Sequence, residues 1–199
     1  MNRHTVRAAI LAAVILTLAG AAPAQTQSSK APGAASAAPA PAAHPQDVDT
    51  IDHIMTAIYD VISGPPGPRD WDRFRSLFYP GARLIPAGRH HGAGITAQSI
   101  TPDEYATKAG DYFLKEGFFE NAVSNRVEIW DAIAHVWSTY ESRHAKGEKP
   151  FARGINSFQL LNDGTRWWVV TIYWEDEDAA HPLPEKYLSG GTDLRSLQK

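Results

Sequence analysis

The sequence contains no cysteine, so no disulfide can staple the fold and no lipid-modified cysteine can anchor the chain. Stability has to come from an ordinary hydrophobic core. Nor is there an apolar run of about 20 residues, the length a bilayer-crossing helix needs; the run from Ala8 to Ala19 falls short and no other stretch comes close. No membrane span is expected. A basic stripe, a heptad run and a fixed-period repeat are all missing, as are a glycine-rich phosphate loop, a nucleophile elbow and a paired-cysteine motif. The formal net charge is −3, and mild acidity argues against nucleic acid as a partner.

What is present begins with a secretory pattern. Arg3 and Arg7 precede the apolar run, and Ala22-Pro23-Ala24 is a small-residue cleavage site. Residues 1–24 are therefore read as a signal peptide, and the protein as exported to a periplasmic or extracellular location. Its removal leaves 17 basic against 22 acidic residues, a formal charge of −5. Residues 25–46 hold eight Ala and four Pro with no acid and no large apolar side chain, too little to offset the entropy of ordering. They read as a flexible tether. All aromatic residues lie from Tyr59 onward, which supports one domain over 47–180 and a C-terminal tail over 181–199.

Within that domain Val48, Ile51, Ile54, Met55, Ile58, Tyr59 and Ile62 recur at helical spacing and predict one helix from Asp47 to the breaker SGPPGP. Asp70 can cap a second, carrying Trp71, Phe74, Leu77 and Phe78 and stopped by YPG at 79–81. ARLIPAG is a brief strand entering the loop RHHGAG. Thr101-Pro102-Asp103-Glu104 has the signals of a third helix start. Four strands follow: Phe119 to Trp130, Ile133 to Arg143, Phe151 to Leu161 and Arg166 to Glu175, the last pair joined by Asn162-Asp163-Gly164. Helices followed by an antiparallel meander make an α+β fold.

The pieces IDHIMTAIYDVI, LFYPGARLIP and GINSFQLLNDGTRWWVVTIYW, in this order, resemble the nuclear transport factor 2-like superfamily (SnoaL-like and ketosteroid isomerase-like members). The resemblance covers about 47–178. It implies a cone-shaped, curved antiparallel sheet wrapped around N-terminal helices, one face lining a pocket and the other able to meet a second copy in a homodimer. Strict alternation places Trp168, Val170, Ile172 and Trp174 on one face of the closing strand and Trp167, Val169, Thr171 and Tyr173 on the other.

In the isomerases of that superfamily a carboxylate base stands on the first strand. Here the resemblance puts Ile85 or Pro86 there, and neither takes a proton. His135, sharing a strand face with Trp137 and Glu141, is the candidate base of a cyclase- or dehydratase-like enzyme with Tyr59 or Tyr140; otherwise it is a half-exposed strand residue making one hydrogen bond. Asn156 projects among apolar neighbours, as a pocket group or a satisfied core amide. His90-His91 match no metal-ligand spacing, and neither metal nor cofactor is expected. EDED at 175–178 reads as a solvated charge run that stops the strand. The pocket candidates are Tyr59, Trp71, His135, Trp137, Tyr140, Asn156, Trp168 and Trp174. The reading is an exported module binding a small apolar molecule; the alternatives are the enzyme just described and an assembly subunit binding protein through its sheet face.

Export has a direct test. N-terminal sequencing of the exported protein should begin at Gln25; a cytoplasmic product retaining Met1 would refute the signal.

Overall fold

The computed structural model describes residues 40–90 and 94–197. The signal, most of the tether and His91 lie outside them. The apolar positions that the sequence joins into one helix form two, α1 (Pro45–Val48) and α2 (Ile51–Ile62). Thr50 separates them: its backbone is extended, and its hydroxyl accepts from the His53 N–H at 3.1 Å, satisfying one of the donors a helix start leaves without a partner. Arg69 closes the other end of α2, donating to the carbonyls of Ile62, Gly64, Pro65 and Gly67. In α3 (Trp71–Ser76), capped by Asp70, Arg73 reaches both carboxylate oxygens of Asp47 at 2.8 and 3.0 Å and one of Asp60 at 2.6 Å. One guanidinium thus ties three helices. Its hydrogen bonds hold the Asp47 carboxyl below its ordinary value. Ala43 packs against the core and α1 starts at Pro45, so the folded unit begins before the expected boundary at Asp47.

The first strand, β1 (Phe78–His90), is longer than ARLIPAG. It absorbs Tyr79-Pro80-Gly81 as an irregularity where its register slips between Phe78 and Arg83, with Gly81 at φ 87°, a region that favours glycine. Gly94, the last residue of the expected loop RHHGAG, opens β2 (Gly94–Ala97), which pairs back onto β1. After α4 (Pro102–Phe113), with its Thr101/Glu104 capping box, come β3 (Phe119–Trp130), β4 (Ile133–Arg143), β5 (Ala152–Asn162) and β6 (Trp167–Asp176). The sheet order is β2-β1-β6-β5-β4-β3. The meander is antiparallel as expected, but β1 lies beside β6 and runs parallel to it. The curved sheet is therefore mixed and open. Three reversals turn β6 opposite to β3, the direction in which β1 leaves α3.

The expected alternation fails along β6. Gln159 pairs with Thr171 but Leu160 pairs with Val169, so Val170 is an extra residue, a β-bulge that reverses the parity. Trp167, Val169 and Ile172 are all buried, with Trp174 packed against the same core. Trp168 is turned out: its indole N–H donates to Asp163 at 2.7 Å and Arg166 lies 3.6 Å over its ring. It does not share a face with Trp174. The inner face forms rows that α2 covers: Ala134, Leu160, Val169 and Phe78; then Val136, Phe158, Ile172 and Leu84; then Ser138, Asn156, Trp174 and Pro86; then Ala122, Tyr140, Gly154 and Asp176. Polarity rises from one end of the sheet to the other.

Residues 181–197 are not a free tail. Thr192 donates its N–H to the Asn125 carbonyl and accepts the Val127 N–H at 3.2 Å, pairing with the outer edge of β3, and Leu194 is buried in the core. Covering an edge strand removes a template for aggregation.

Phe158, 1% exposed in the second row, should carry much of the stability. Phe158→Ala is expected to cost about 3–5 kcal/mol in chemical denaturation. Trp168→Ala, losing one hydrogen bond and one cation–π contact, should cost no more than about 2 kcal/mol; equal losses would contradict the bulge.

Candidate functional site

A cavity of about 220 Å³ lies between the helices and the polar end of the inner sheet face. Ile58, Tyr59 and Ile62 come from α2, Phe74 from α3 and Tyr105 from α4. The sheet supplies Leu84, Glu120, Tyr140, Ser142, Ala152, Asn156, Phe158, Ile172, Trp174 and Asp176, with Phe118 and Phe151 from the loops at its end. Leu84 thus enters from β1 rather than Ile85 or Pro86. No base stands at the position the resemblance pointed to.

Four of the expected pocket residues meet here: Tyr59, Tyr140, Asn156 and Trp174. The Tyr59 hydroxyl shares a hydrogen bond with the Ser138 hydroxyl at 2.7 Å and accepts from the Asn156 amide at 3.1 Å. Asn156, 6% exposed, is therefore both a satisfied amide and a cavity wall. The Tyr140 hydroxyl donates to the Asp176 carboxylate. Gly154 makes this reach available, since a Cβ there would stand 2.4 Å from the Tyr140 oxygen and 2.3 Å from the Glu175 carbonyl oxygen.

The other four lie elsewhere. Trp71 stacks on Phe113 and meets Phe74 edge-on beneath α4, outside the cavity lining. Trp168 is on the outer face, as described. His135 and Trp137 alternate with the buried Ala134, Val136 and Ser138 and so point outward. His135 accepts from the Gln159 amide at 2.5 Å and stacks on Trp137, and Trp137 is covered by Tyr187. His135 is the strand residue with one hydrogen bond, because β4 has the opposite parity to the one a cavity base requires.

Two carboxylates escaped the sequence reading. Glu120 opens β3 and accepts from the Ser142 hydroxyl at 2.7 Å. Burial pushes its carboxyl up to about 7, against hydrogen bonds from Ser142 and Asn156 and helped by the negative charge of Asp176. Asp176 belongs to the run taken as solvated; its neighbours behave differently, Glu177 pairing with Arg153 at 2.5 Å and Asp178 with His181 at 2.8 Å. Alternation continued past Trp174 would have placed Asp176 beside it. Nothing local marked Glu120, whose place depends on which face of β3 meets the helices. Burial also raises the phenols of Tyr59, Tyr105 and Tyr140, with Glu120 or Asp176 adding to it, so all three remain protonated donors near neutral pH. Among the described residues no group of three or more His, Cys, Asp or Glu is placed to hold a metal ion.

No protein-family model and no curated protein matches the chain. Among solved structures it is similar to a protein of unknown function with a cystatin-like fold from Nostoc punctiforme, at TM-score 0.50 and 10% identity over 65% of this chain and 90% of that one. A nuclear transport factor 2-like protein of unknown function from Methylobacillus flagellatus gives 0.43 and 14%, over 65% and 95%. Another from Silicibacter pomeroyi gives 0.43 and 17%, over 63% and 97%. At such identities the likeness is one of fold alone, and the chain shares an α+β curved-sheet fold with the cystatin-like structure.

Proposed function

We propose that this protein is an exported module that binds a small, largely apolar molecule in the cavity beneath α2. The observation that carries the reading is the graded inner face of the sheet: aliphatic and aromatic rows at one end, and at the other Tyr59, Glu120, Tyr140, Asn156 and Asp176 converging on one space. Small-ligand sites combine apolar walls with a few placed polar groups in this way. The cavity's volume of about 220 Å³ lies below the ~300–1,000 Å³ usual for drug-sized ligands, which favours a compact occupant. Export rests on Arg3, the Ala8 to Ala19 run and Ala22-Pro23-Ala24. On the outer face the chain's own Tyr187 covers Trp137, which leaves less apolar surface for a second copy than the sequence alone implies.

Native mass spectrometry of protein purified from its own host tests the reading. A bound small molecule should be seen, and it should be lost from Ala152→Phe, which fills the cavity from β5 without removing a polar group. An adduct retained in that variant would place the ligand elsewhere.

One observation favours a second reading, an acid-base enzyme: Glu120 titrates near neutral pH inside the cavity, as a general base should. Turnover of a ligand falling about 10²- to 10⁴-fold in Glu120→Gln, with binding retained, would promote it; unchanged turnover would dismiss it.

The same group predicts a pH dependence of stability. The folded state holds the Glu120 proton up to about 7, the unfolded chain only to its ordinary 4.5, so the folded state carries the extra proton between them. Stability from this group is full below the lower value and is lost as the pH rises through the upper one. Urea midpoints of Glu120→Gln should therefore gain on the parent between about pH 5 and pH 8; a constant difference would contradict the shift.

A further inference from the structure

We propose that the cavity selects an organic cation, a primary amine carried on a compact aromatic or branched apolar body. The inference rests on the binding reading above and names its ligand class. Charge decides it first. Among the described residues the cavity wall holds two carboxylates, Glu120 and Asp176, and no Lys, Arg or His. Of the nearby arginines, Arg143 pairs with Glu141 and Arg153 with Glu177, and Arg69, whose charge reaches Tyr105, is held by the carbonyls of Ile62, Gly64, Pro65 and Gly67. Neither Glu120 nor Asp176 makes an ion pair with any described residue; each is met by hydroxyl groups, Ser142 and Tyr140 respectively. Above neutral pH, where Glu120 has lost its proton, an anion entering here would meet two like charges in a partly desolvated space, while a neutral molecule would leave both carboxylates without a counter-charge. An ammonium group supplies it.

The walls favour the same class. Tyr105, Phe118, Phe151 and Trp174 present rings to the cavity beside the carboxylates, and the negative faces of aromatic rings attract a desolvated cation. The Tyr105 hydroxyl has no hydrogen-bond partner among the described residues, yet it lines the cavity within reach of the Glu120 charge. It is an available acceptor for an ammonium N–H, which needs up to three. Size sets the limit: with about 30 Å³ per water, the cavity of about 220 Å³ holds roughly seven waters, or an occupant on the order of ten non-hydrogen atoms.

The groups facing Glu120 are Tyr59 from α2, Tyr105 from α4, Tyr140 and Ser142 from β4, Asn156 from β5 and Asp176 from β6. An open groove behind it is lined by Asp52, Asp60, Arg143, Lys146 and Glu148. Of the charged groups, Asp176 bears on its ionisation. Amine binding should therefore tighten as Glu120 loses its proton on raising the pH through neutrality.

Isothermal titration of the purified chain with 2-phenylethylamine, 2-phenylethanol and phenylacetate tests this. The amine should bind at least tenfold more tightly than the alcohol at pH 8, and phenylacetate should bind least. The amine's advantage should shrink at pH 5.5. Glu120→Gln and Asp176→Asn, which keep the acceptor oxygens for Ser142 and Tyr140, should each lose tenfold or more for the amine, and a far-UV circular dichroism spectrum matching the parent's reports that the variants are folded. Amine and alcohol binding equally, or phenylacetate binding best, would overturn the cation class and leave the cavity reading standing. Failure of all three to bind the parent protein would overturn both.

Discussion

The bulge at Val170 is the constraint on which the interior depends. The segment WWVVTIYW has apolar side chains at both parities, so a regular strand would bury one set and expose the other. Inserting one residue without a cross-strand partner lets Trp167 and Val169 on one side of it, and Ile172 and Trp174 on the other, all turn towards α2. The same parity then carries Asp176 inward, and with it the acceptor that Tyr140 needs. Strand bending, core content and the inward place of Asp176 follow from this irregularity, while Glu120 is brought inward by a second one, at Val123 in β3.

Why the cavity stays open is a matter of which rows meet α2. Near Phe158 and Val169 the sheet presents close-packed apolar side chains, both nearly inaccessible to solvent, and dispersion with area burial holds helix to sheet. Two rows further on the side chains are Ser138, Asn156, Tyr140 and Asp176 around Gly154. These cannot be packed dry without satisfying each other, and they do so in two small networks, Tyr59 with Ser138 and Asn156, and Tyr140 with Asp176. Polar groups that satisfy one another at fixed positions hold the rings apart. Glu120, with Ser142 as its direct hydroxyl partner and the amide of Asn156 nearby, is raised by its burial in spite of them.

The elements themselves were legible. Thr101 with Glu104 announces α4, Asp70 announces α3, and β3 and β4 run over the residues their patterns predict. The first helix was misjudged because Val48 continues the apolar spacing across Thr50, and periodicity does not register a cap that breaks it. β2 has too few residues, all exposed, to show any alternation. The parallel contact of β1 with β6 joins segments some ninety residues apart, a pairing that local pattern does not encode.

For the site the division follows from range. Caps, turns and side-chain periods act over three or four residues, so the sequence alone determined the element types, the α+β class and the presence of buried polar candidates such as Tyr59, Tyr140 and Asn156. Which of two faces a strand residue occupies depends on register against strands far away in the chain, and one extra residue reverses it. Only the tertiary structure therefore decided that His135, Trp137 and Trp168 face outward, and that Glu120 and Asp176, read from the sequence as part of a strand and part of a charge run, stand together inside.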